Sequence, residues 1–538
     1  MDNANITYPT PAPMPEETPK PKKGFPLLLV LIIGGVALIA VAVLLFFLLS
    51  GSSSGKFAVP EGNSIQWDVN DDDQMAFLFN GETIVKVDDD LTAKMSVSSV
   101  RTDYNRRYAV FMTEGEYSDT DDYVYGDLYV VQQEKYVKAA DEVKQFVLSP
   151  FGSSCFYVTD DELYYAMLSD PSKAVKVDSE VTGITCVSPD GKTVVYVKTV
   201  EAKDGEEENE DADEPLYECY VSIEGAKGTK YEKKNAEVIA VSDGGSYVYY
   251  SKDDKFYVND TKLADKEDLS SLLQDYYGFM LAFNRDGSQV LYTATNSDGK
   301  TKVYISDHAG EKNVVASGSL GALLTPTGAS GFAAIHGFFV YNNTESLAEC
   351  AVSVFELDDS GDLETNYYYL PNTLGDSEKI STLKNADNVM MLEDGKTVLY
   401  IKSGSLRMVN IQQPAAAPIE FSGTTEDIVS FDSTMDGECI YVLDEDGELY
   451  YVNNKERLTR IKPDVSNFTV TADGRVYFVN EDDDLYYATP NGESTKIASE
   501  VSGDTLIHHE YADVTTIEID GTLGVLKEGK FNKKFVLN

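Results

Sequence analysis

The stretch VSPDGKTVVYVK (187–198) runs a Pro-Asp-Gly turn straight into apolar, β-favouring residues. Near-copies recur at SPFGSSCFYV (149–158), SDGGSYVYYS (242–251), NRDGSQVLYT (284–293), LEDGKTVLYI (392–401), TMDGECIYVL (434–443) and TADGRVYFVN (471–480). A chain that writes the same turn and short strand so often is expected to fold as an array of like units. Each copy has a Gly before its strand, where a turn needs a backbone position with φ > 0. These glycines stand at 152, 191, 245, 287, 395, 437 and 474, with successive spacings of 39, 54, 42, 108, 42 and 37. The period is therefore about 40 residues, the range of propeller-type repeats. The gap of 54 holds an insertion, and that of 108 must hide at least one degenerate unit. DYNRRYAVFM (103–112) reads as a further copy that lacks the Gly.

A second strand follows each of several copies: ELYYA (162–166), KFYVN (255–259), SLRMV (405–409), ELYYV (448–452) and DLYYA (484–488). In four units the Leu or Phe of this strand lies 11 residues after the reference Gly, and constant spacing means constant hairpin geometry. Third strands (AVKV, 174–177; STKIA, 494–498) and fourth strands (VTGITCV, 181–187; VSNFTVT, 465–471) complete the unit. In Val194, Val195, Tyr196 and Val197 neighbouring side chains face opposite ways, yet both faces are apolar, so both must be covered. One column through the repeats holds Cys155, Val194, Val248, Val290, Val398 and Cys439; another holds Tyr157, Tyr196, Tyr250, Tyr292, Tyr400 and Tyr441. Four antiparallel strands per unit, greasy on both faces, fit radially stacked sheets. The expected fold is all-β: a β-propeller of four-stranded blades, about eight in one ring or divided between two tandem rings, preceded by a single transmembrane helix. The stretch 201–215 and an irregular region near 341–390 are expected to be insertions.

SPDGKTVVYV, followed elsewhere by LYYATPNGESTKIAS, resembles the TolB-type, WD-like propeller repeat. The likeness recurs over roughly residues 100–510. It implies a propeller, and it leaves function open, since such propellers serve as binding platforms, adaptors and accessory domains of enzymes.

From Phe25 to Leu49 the chain carries no charge, long enough as a helix to cross a hydrocarbon core of ~30 Å. The run exceeds the ~7–15 apolar residues of a cleaved signal, and no small-x-small site follows it, so an uncleaved anchor is expected. Lys20, Lys22 and Lys23 precede the run and only Lys56 follows closely, which places the N-terminus in the cytoplasm. The expected organisation is a Pro-rich, disordered cytoplasmic tail (1–23), the transmembrane helix (24–50), a flexible linker (51–56) and an extracytoplasmic propeller (57–538). Acids and lysines of the tail cancel, so the net charge of −47 falls on the outward part, with 41 basic against 88 acidic residues. Such a surface repels nucleic acid and suits a basic partner or weak cation binding. Five scattered cysteines (155, 186, 219, 350 and 439) make no disulfide framework and read as buried thiols, which suits a bacterial cell surface.

Residues with catalytic chemistry do not converge. GSSSG (51–55) matches the G-x-S-x-G pattern but sits in a linker, without the strand and helix a nucleophile elbow requires. Of the four histidines (308, 336, 508 and 509), His508 and His509 are adjacent, so on a strand they face opposite ways and do not share a metal. Acidic clusters at 71–73, 88–90, 444–447 and 481–484 leave loop Ca²⁺ open as an alternative, but none completes a twelve-residue loop, and Asp is a favoured hairpin-tip residue. Most of the 35 tyrosines fall in strand columns; Tyr104 and Tyr123 are left as loop contacts. No catalytic, cofactor-binding or metal-binding residue is assigned, and the ligand-binding residues are not specified. The expected function is a membrane-anchored binding or scaffold module for a protein or glycan at the cell envelope. Two alternatives are an enzyme acting on polysaccharide through funnel carboxylates and a sensor ectodomain with a partner protein.

Overall fold

In a computed structural model the described residues run from Phe57 to Lys533, apart from short internal stretches, the longest being 92–99, 114–124, 201–216 and 266–278. The expected tail, transmembrane helix and linker lie outside the described residues, as do GSSSG, His308, His336, Tyr123, Asp71 to Asp73 and the insertion at 201–215.

The chain forms ten sheets in sequence order, numbered here 1 to 10. Sheet 1 (65–86) has three strands; sheet 2 (101–179) has seven; sheets 3 (183–234), 4 (237–265), 7 (387–420), 8 (428–462), 9 (465–498) and 10 (507–533) have four each. Sheet 5 (279–341) has six strands, and sheet 6 takes its four from 319–379. Among the described residues the strands within each sheet pair antiparallel, except where Phe338–Tyr341 runs parallel to Phe279–Phe283 in sheet 5. Sheet 2 is two four-strand groups sharing one strand, Lys135–Leu148. That strand kinks at Glu142 (φ 49°); before the kink it pairs with Gly126–Gln132, after it with Ser154–Thr159. The described residues thus hold eleven strand groups in a propeller-like, all-β arrangement.

Packing follows from the two-faced strands. Ile440–Asp444 and Val476–Asn480 are buried at every position. Both sequence columns lie inside: Val194, Val398, Tyr196, Tyr292, Tyr400 and Tyr441 are fully buried, and Cys439 alone is partly open. Each successive pair of sheets shares a hydrophobic cluster. The last sheet also packs on the first, through Val514 and Val525 against Ala76 and Leu78. Within sheets, column tyrosines meet a second ring across the hairpin: Tyr157 and Tyr164 at 5.4 Å, Tyr196 and Tyr220 at 5.5 Å, Tyr250 and Tyr257 at 5.1 Å, Tyr441 and Tyr451 at 5.1 Å. Such cross-strand aromatic pairs add to sheet stability beyond their buried area.

Six of the seven repeat glycines have positive φ, from 63° at Gly395 to 79° at Gly474. Gly152 departs from the expectation: its need is space, because an added Cβ would lie 2.3 Å from the Asp190 carbonyl oxygen. In DYNRRYAVFM the left-handed position is taken by Arg106 (φ 51°), which is why that copy lacks the Gly. The degenerate unit in the gap of 108 is sheet 6. Its first strand, Ser319–Leu323, and second, Cys350–Leu357, are separated by a hairpin that joins sheet 5 instead. The region 341–390 is accordingly not an irregular insertion, since Cys350–Leu357 and Leu363–Leu370 form an eight-residue ladder.

A further repeat was not apparent in the sequence. Where one group passes to the next, an acid with positive φ precedes a buried Val: Glu142–Val143, Glu180–Val181, Asp464–Val465 and Glu500–Val501. The N–H of Val181, Val465 and Val501 donates to the carbonyl of Asp161, Gly447 and Asp483 at 2.8, 2.8 and 3.0 Å, each at a hairpin tip of the preceding group. The same backbone bond therefore couples consecutive groups.

Candidate functional site

The repeated turns touch one another. Within the Ser-Pro-Asp-Gly turn the Ser188 hydroxyl donates to Asp190 Oδ1 at 2.7 Å and accepts the Thr193 N–H at 3.0 Å. Turn then joins turn: Phe151 N–H donates to the Pro189 carbonyl (3.1 Å), Asp190 N–H to Asp243 Oδ1 (2.8 Å), and Asp243 N–H to the Arg285 carbonyl (3.1 Å). Arg285 is 3.5 Å from Asp243 and 3.7 Å from Glu345, with its guanidinium 5.5 Å from the Phe151 ring centre. Burial pushes the Asp243 carboxyl up to about 6, and the adjacent Asp190 carboxylate adds to the rise. These two acids share a hydrogen bond, closer than the ~5–9.5 Å that lets paired carboxylates flank a glycosidic bond. Their arrangement joins turns.

A cavity of about 530 Å³ lies where the turns of sheets 9 and 10 meet the hairpin tip of sheet 1. Tyr477 and Tyr487 from sheet 9 face Asp513, Lys527 and Asn532 from sheet 10, and Asn80 closes one end. Arg475 ion-pairs with Asp473 at 3.0 Å, its guanidinium stands 5.7 Å from the Tyr487 ring centre, and it also donates to the Tyr487 hydroxyl. The Tyr477 hydroxyl accepts the Gly529 N–H at 3.1 Å, so its ring is fixed between the two sheets. Partial burial raises the Asp513 carboxyl, and the Asp473 charge in the same cavity adds to the rise. Tyr477 is only 2% exposed and Tyr487 packs against it and Arg475, so the cavity offers mainly carboxylate, amide and cationic groups, which suit a polar ligand rich in hydrogen-bonding groups.

The residues singled out by sequence do not converge here. His508 and His509 face opposite ways, as expected: His508 Nδ1 meets the Thr515 hydroxyl at 2.8 Å, while His509 meets Gln66 and, at 3.4 Å, Arg106. Burial lowers both imidazoles to about 4, so both are neutral at physiological pH. Tyr104 is a packing residue rather than a free loop contact: its ring meets Phe151 edge-on at 4.7 Å and its hydroxyl bonds Asn343. In the cluster at 444–447, Asp444 is buried and its carboxylate accepts the Glu448 N–H at 2.8 Å, the local bond of a hairpin tip. In 481–484, Asp484 ion-pairs with Lys496 at 2.5 Å. Asp88 accepts the Tyr136 hydroxyl at 2.6 Å. The cavity escaped sequence reading because its residues come from strands and turns of three sheets, the first far from the other two in the chain, and the one usable signal was the repeated position of Asp473.

No family model matches the chain, and no curated protein matches it. Among solved structures it is similar to the eukaryotic initiation factor, at 12% identity and a TM-score of 0.35, over 68% of this chain and 88% of that one. It is also similar to the tricorn protease, at 13% identity and a TM-score of 0.22, over 85% of this chain and 46% of that one. This chain therefore spans less than half of the tricorn protease chain. Neither likeness bears on the activity of this one.

Proposed function

We propose that the chain is a single-pass membrane protein, anchored by residues 24–50 with its N-terminus in the cytoplasm, whose outward propeller binds glycan at the cell envelope. The sheets are read as blades, with the circuit closed between sheets 10 and 1. The observation that carries the binding assignment is the cavity between sheets 9 and 10, where Arg475, Asp513 and Asn532, backed by the Tyr477 and Tyr487 pair, present a fixed polar lining. Rigid sheets hold such side chains at small entropic cost on binding. The test is calorimetry of the full-length chain in detergent against oligosaccharides released from cell-envelope polysaccharide. Asp513→Asn keeps a residue type that tolerates the local φ of 48°, and Asn532→Ala alters an exposed side chain. Each is expected to weaken binding about fivefold to tenfold, the effect of one polar contact. Unchanged affinity in both variants refutes this cavity as the site.

One observation favours a second reading, hydrolysis of the bound glycan. Asp473 and Asp513 line one cavity, and the Asp513 carboxyl is raised, as a proton donor requires. Release of reducing ends that Asp513→Asn abolishes would establish turnover; binding without release leaves the binding module alone.

A further inference from the structure

One copy of the repeated turn carries a long side chain where the other seven have glycine. In DYNRRYAVFM (103–112) Arg106 stands at the position that Gly191 holds in SPDGKTVVYV, and it keeps that glycine's left-handed backbone, with φ 51° against 73°. The two turns are otherwise built alike: the Arg106 N–H donates to the Asp103 carbonyl at 2.9 Å, as the Gly191 N–H donates to the Ser188 carbonyl at 3.0 Å. An L-residue is strained at such a φ, so this turn retains a strain that glycine would relieve. What it gains is a guanidinium on the lining of a cavity of about 470 Å³, between the hairpin tip of sheet 1 and the turns of sheet 2.

The charge of this cavity is opposite to that of the chain. Arg106, Arg107 and Lys135 line it, and Glu134 is the one acid on its described lining, whereas the chain carries −47. Cations on the strands are elsewhere matched by acids: Lys138, Lys176, Lys198, Lys230 and Lys496 each ion-pair with a carboxylate. Among the described residues no carboxylate lies within ion-pair distance of Arg106 or Lys135, and both side chains are exposed. Arg106 instead meets His509 Nδ1 at 3.4 Å, and that imidazole is neutral at physiological pH. Arg107 is partly matched, 3.6 Å from the buried Asp103, whose carboxylate also accepts the N–H groups of Arg107 and Tyr108 at 2.8 and 2.9 Å. Salt screens charges beyond ~8 Å at physiological ionic strength, so the local cations set the potential that a ligand group meets here.

This cavity adjoins the one between sheets 9 and 10, because Asn80, in the hairpin tip of sheet 1, lines both. Resting on the glycan reading above, we propose that the glycan is acidic. Its hydroxyl-bearing units occupy the first cavity, and a phosphate or carboxylate on a neighbouring unit is held in the second by Arg106 and Lys135. The guanidinium offers paired N–H donors to either group and the ammonium a compact charge, both as charge-assisted hydrogen bonds. A neutral glycan would leave the two cations unmatched.

The probes are a neutral glucose tetrasaccharide and its phosphorylated and carboxylated forms, titrated by calorimetry into the full-length chain in detergent. At low salt at least one acidic form is expected to bind about tenfold tighter than the neutral one, and the form with the larger gain identifies the group the ligand bears. Most of that advantage should vanish near about 1 M salt, where the screening length is ~3 Å. Arg106→Asn, a residue type that tolerates the positive φ, combined with Lys135→Gln should bring the ratio of acidic to neutral affinity below about twofold. Lys227→Gln with Lys396→Gln removes the same charge at exposed positions outside the cavity and should leave the ratio unchanged. Equal affinity for the neutral and both acidic forms, or an advantage that survives in the Arg106→Asn, Lys135→Gln variant, overturns the proposal while the glycan reading stands. An advantage lost in that variant but untouched by Asp513→Asn and Asn532→Ala keeps the anion cavity and removes the first cavity as the glycan site. No binding of any tetrasaccharide overturns both.

Discussion

Replacing Gly191 by Ala separates the two reasons a repeat glycine exists. Gly191 has φ 73°, where an L-residue costs about 1–2 kcal/mol. A Cβ there would also stand 2.4 Å from Ser149 Cβ and 2.6 Å from both the Ser149 and Ser154 hydroxyls. Those hydroxyls are buried and engaged: Ser149 donates to the Pro189 carbonyl at 3.0 Å and accepts the Gly152 N–H at 2.8 Å, and Ser154 donates to the Gly191 carbonyl at 2.8 Å. Displacing them adds about 1–3 kcal/mol of overpacking and about 1 kcal/mol for a weakened hydrogen bond. The total expected for Gly191→Ala is about 3–6 kcal/mol. Gly244, at φ 71°, has nothing within 4 Å of its added Cβ, so Gly244→Ala should cost only the conformational 1–2 kcal/mol or so. Urea midpoints of the two variants in the full-length chain, followed by circular dichroism, make the comparison at matched backbone geometry. Equal midpoints would refute the argument that consecutive groups are packed through this turn.

The Asp243 carboxyl, raised to about 6 from an ordinary value near 3.8, makes its contribution to stability fully present at acid pH and lost as pH rises through 6. His508 and His509, lowered to about 4, act in the opposite sense, so the diagnostic quantity is the difference between wild type and Asp243→Asn. The variant should gain stability relative to wild type as pH rises from 4 to 7, and a pH-independent difference refutes the shift. None of the five cysteines forms a disulfide and only Cys439 is partly open, so a native thiol titration should show one reacting group and a denatured one five. Burial pushes Cys155 up to about 12 and Cys219 up to about 11, which keeps them unreactive; rapid native labelling of more than one thiol contradicts the packing.

Strand content and period were legible because the same physical demand recurs. Wherever a turn needed positive φ without a special substitute, Gly was written, and wherever a strand needed two apolar faces, Val and Tyr filled the columns. The sequence misled where another residue met the same demand. Arg106 holds a left-handed position, and Glu180 and Asp464 do so between groups, where their charge reads as solvated surface. Sheet 6 was hidden because its first turn had grown into a hairpin that belongs to sheet 5. The candidate cavity was illegible for a different reason. Asn80 and Asp513 are far apart in sequence and meet only because the last sheet packs on the first.

The contact of Leu78 with Val514 also sets a clock on biosynthesis. About 430 residues separate the two, and at ~5–20 residues per second a ribosome needs roughly 20–90 s to supply the second after the first. Throughout that interval the greasy flank of the earliest-made sheet has no cover from its eventual neighbour, while the sheets between are already pairing locally. A premature stop codon before Val514 would leave Ala76 and Leu78 without that cover for the life of the truncated chain.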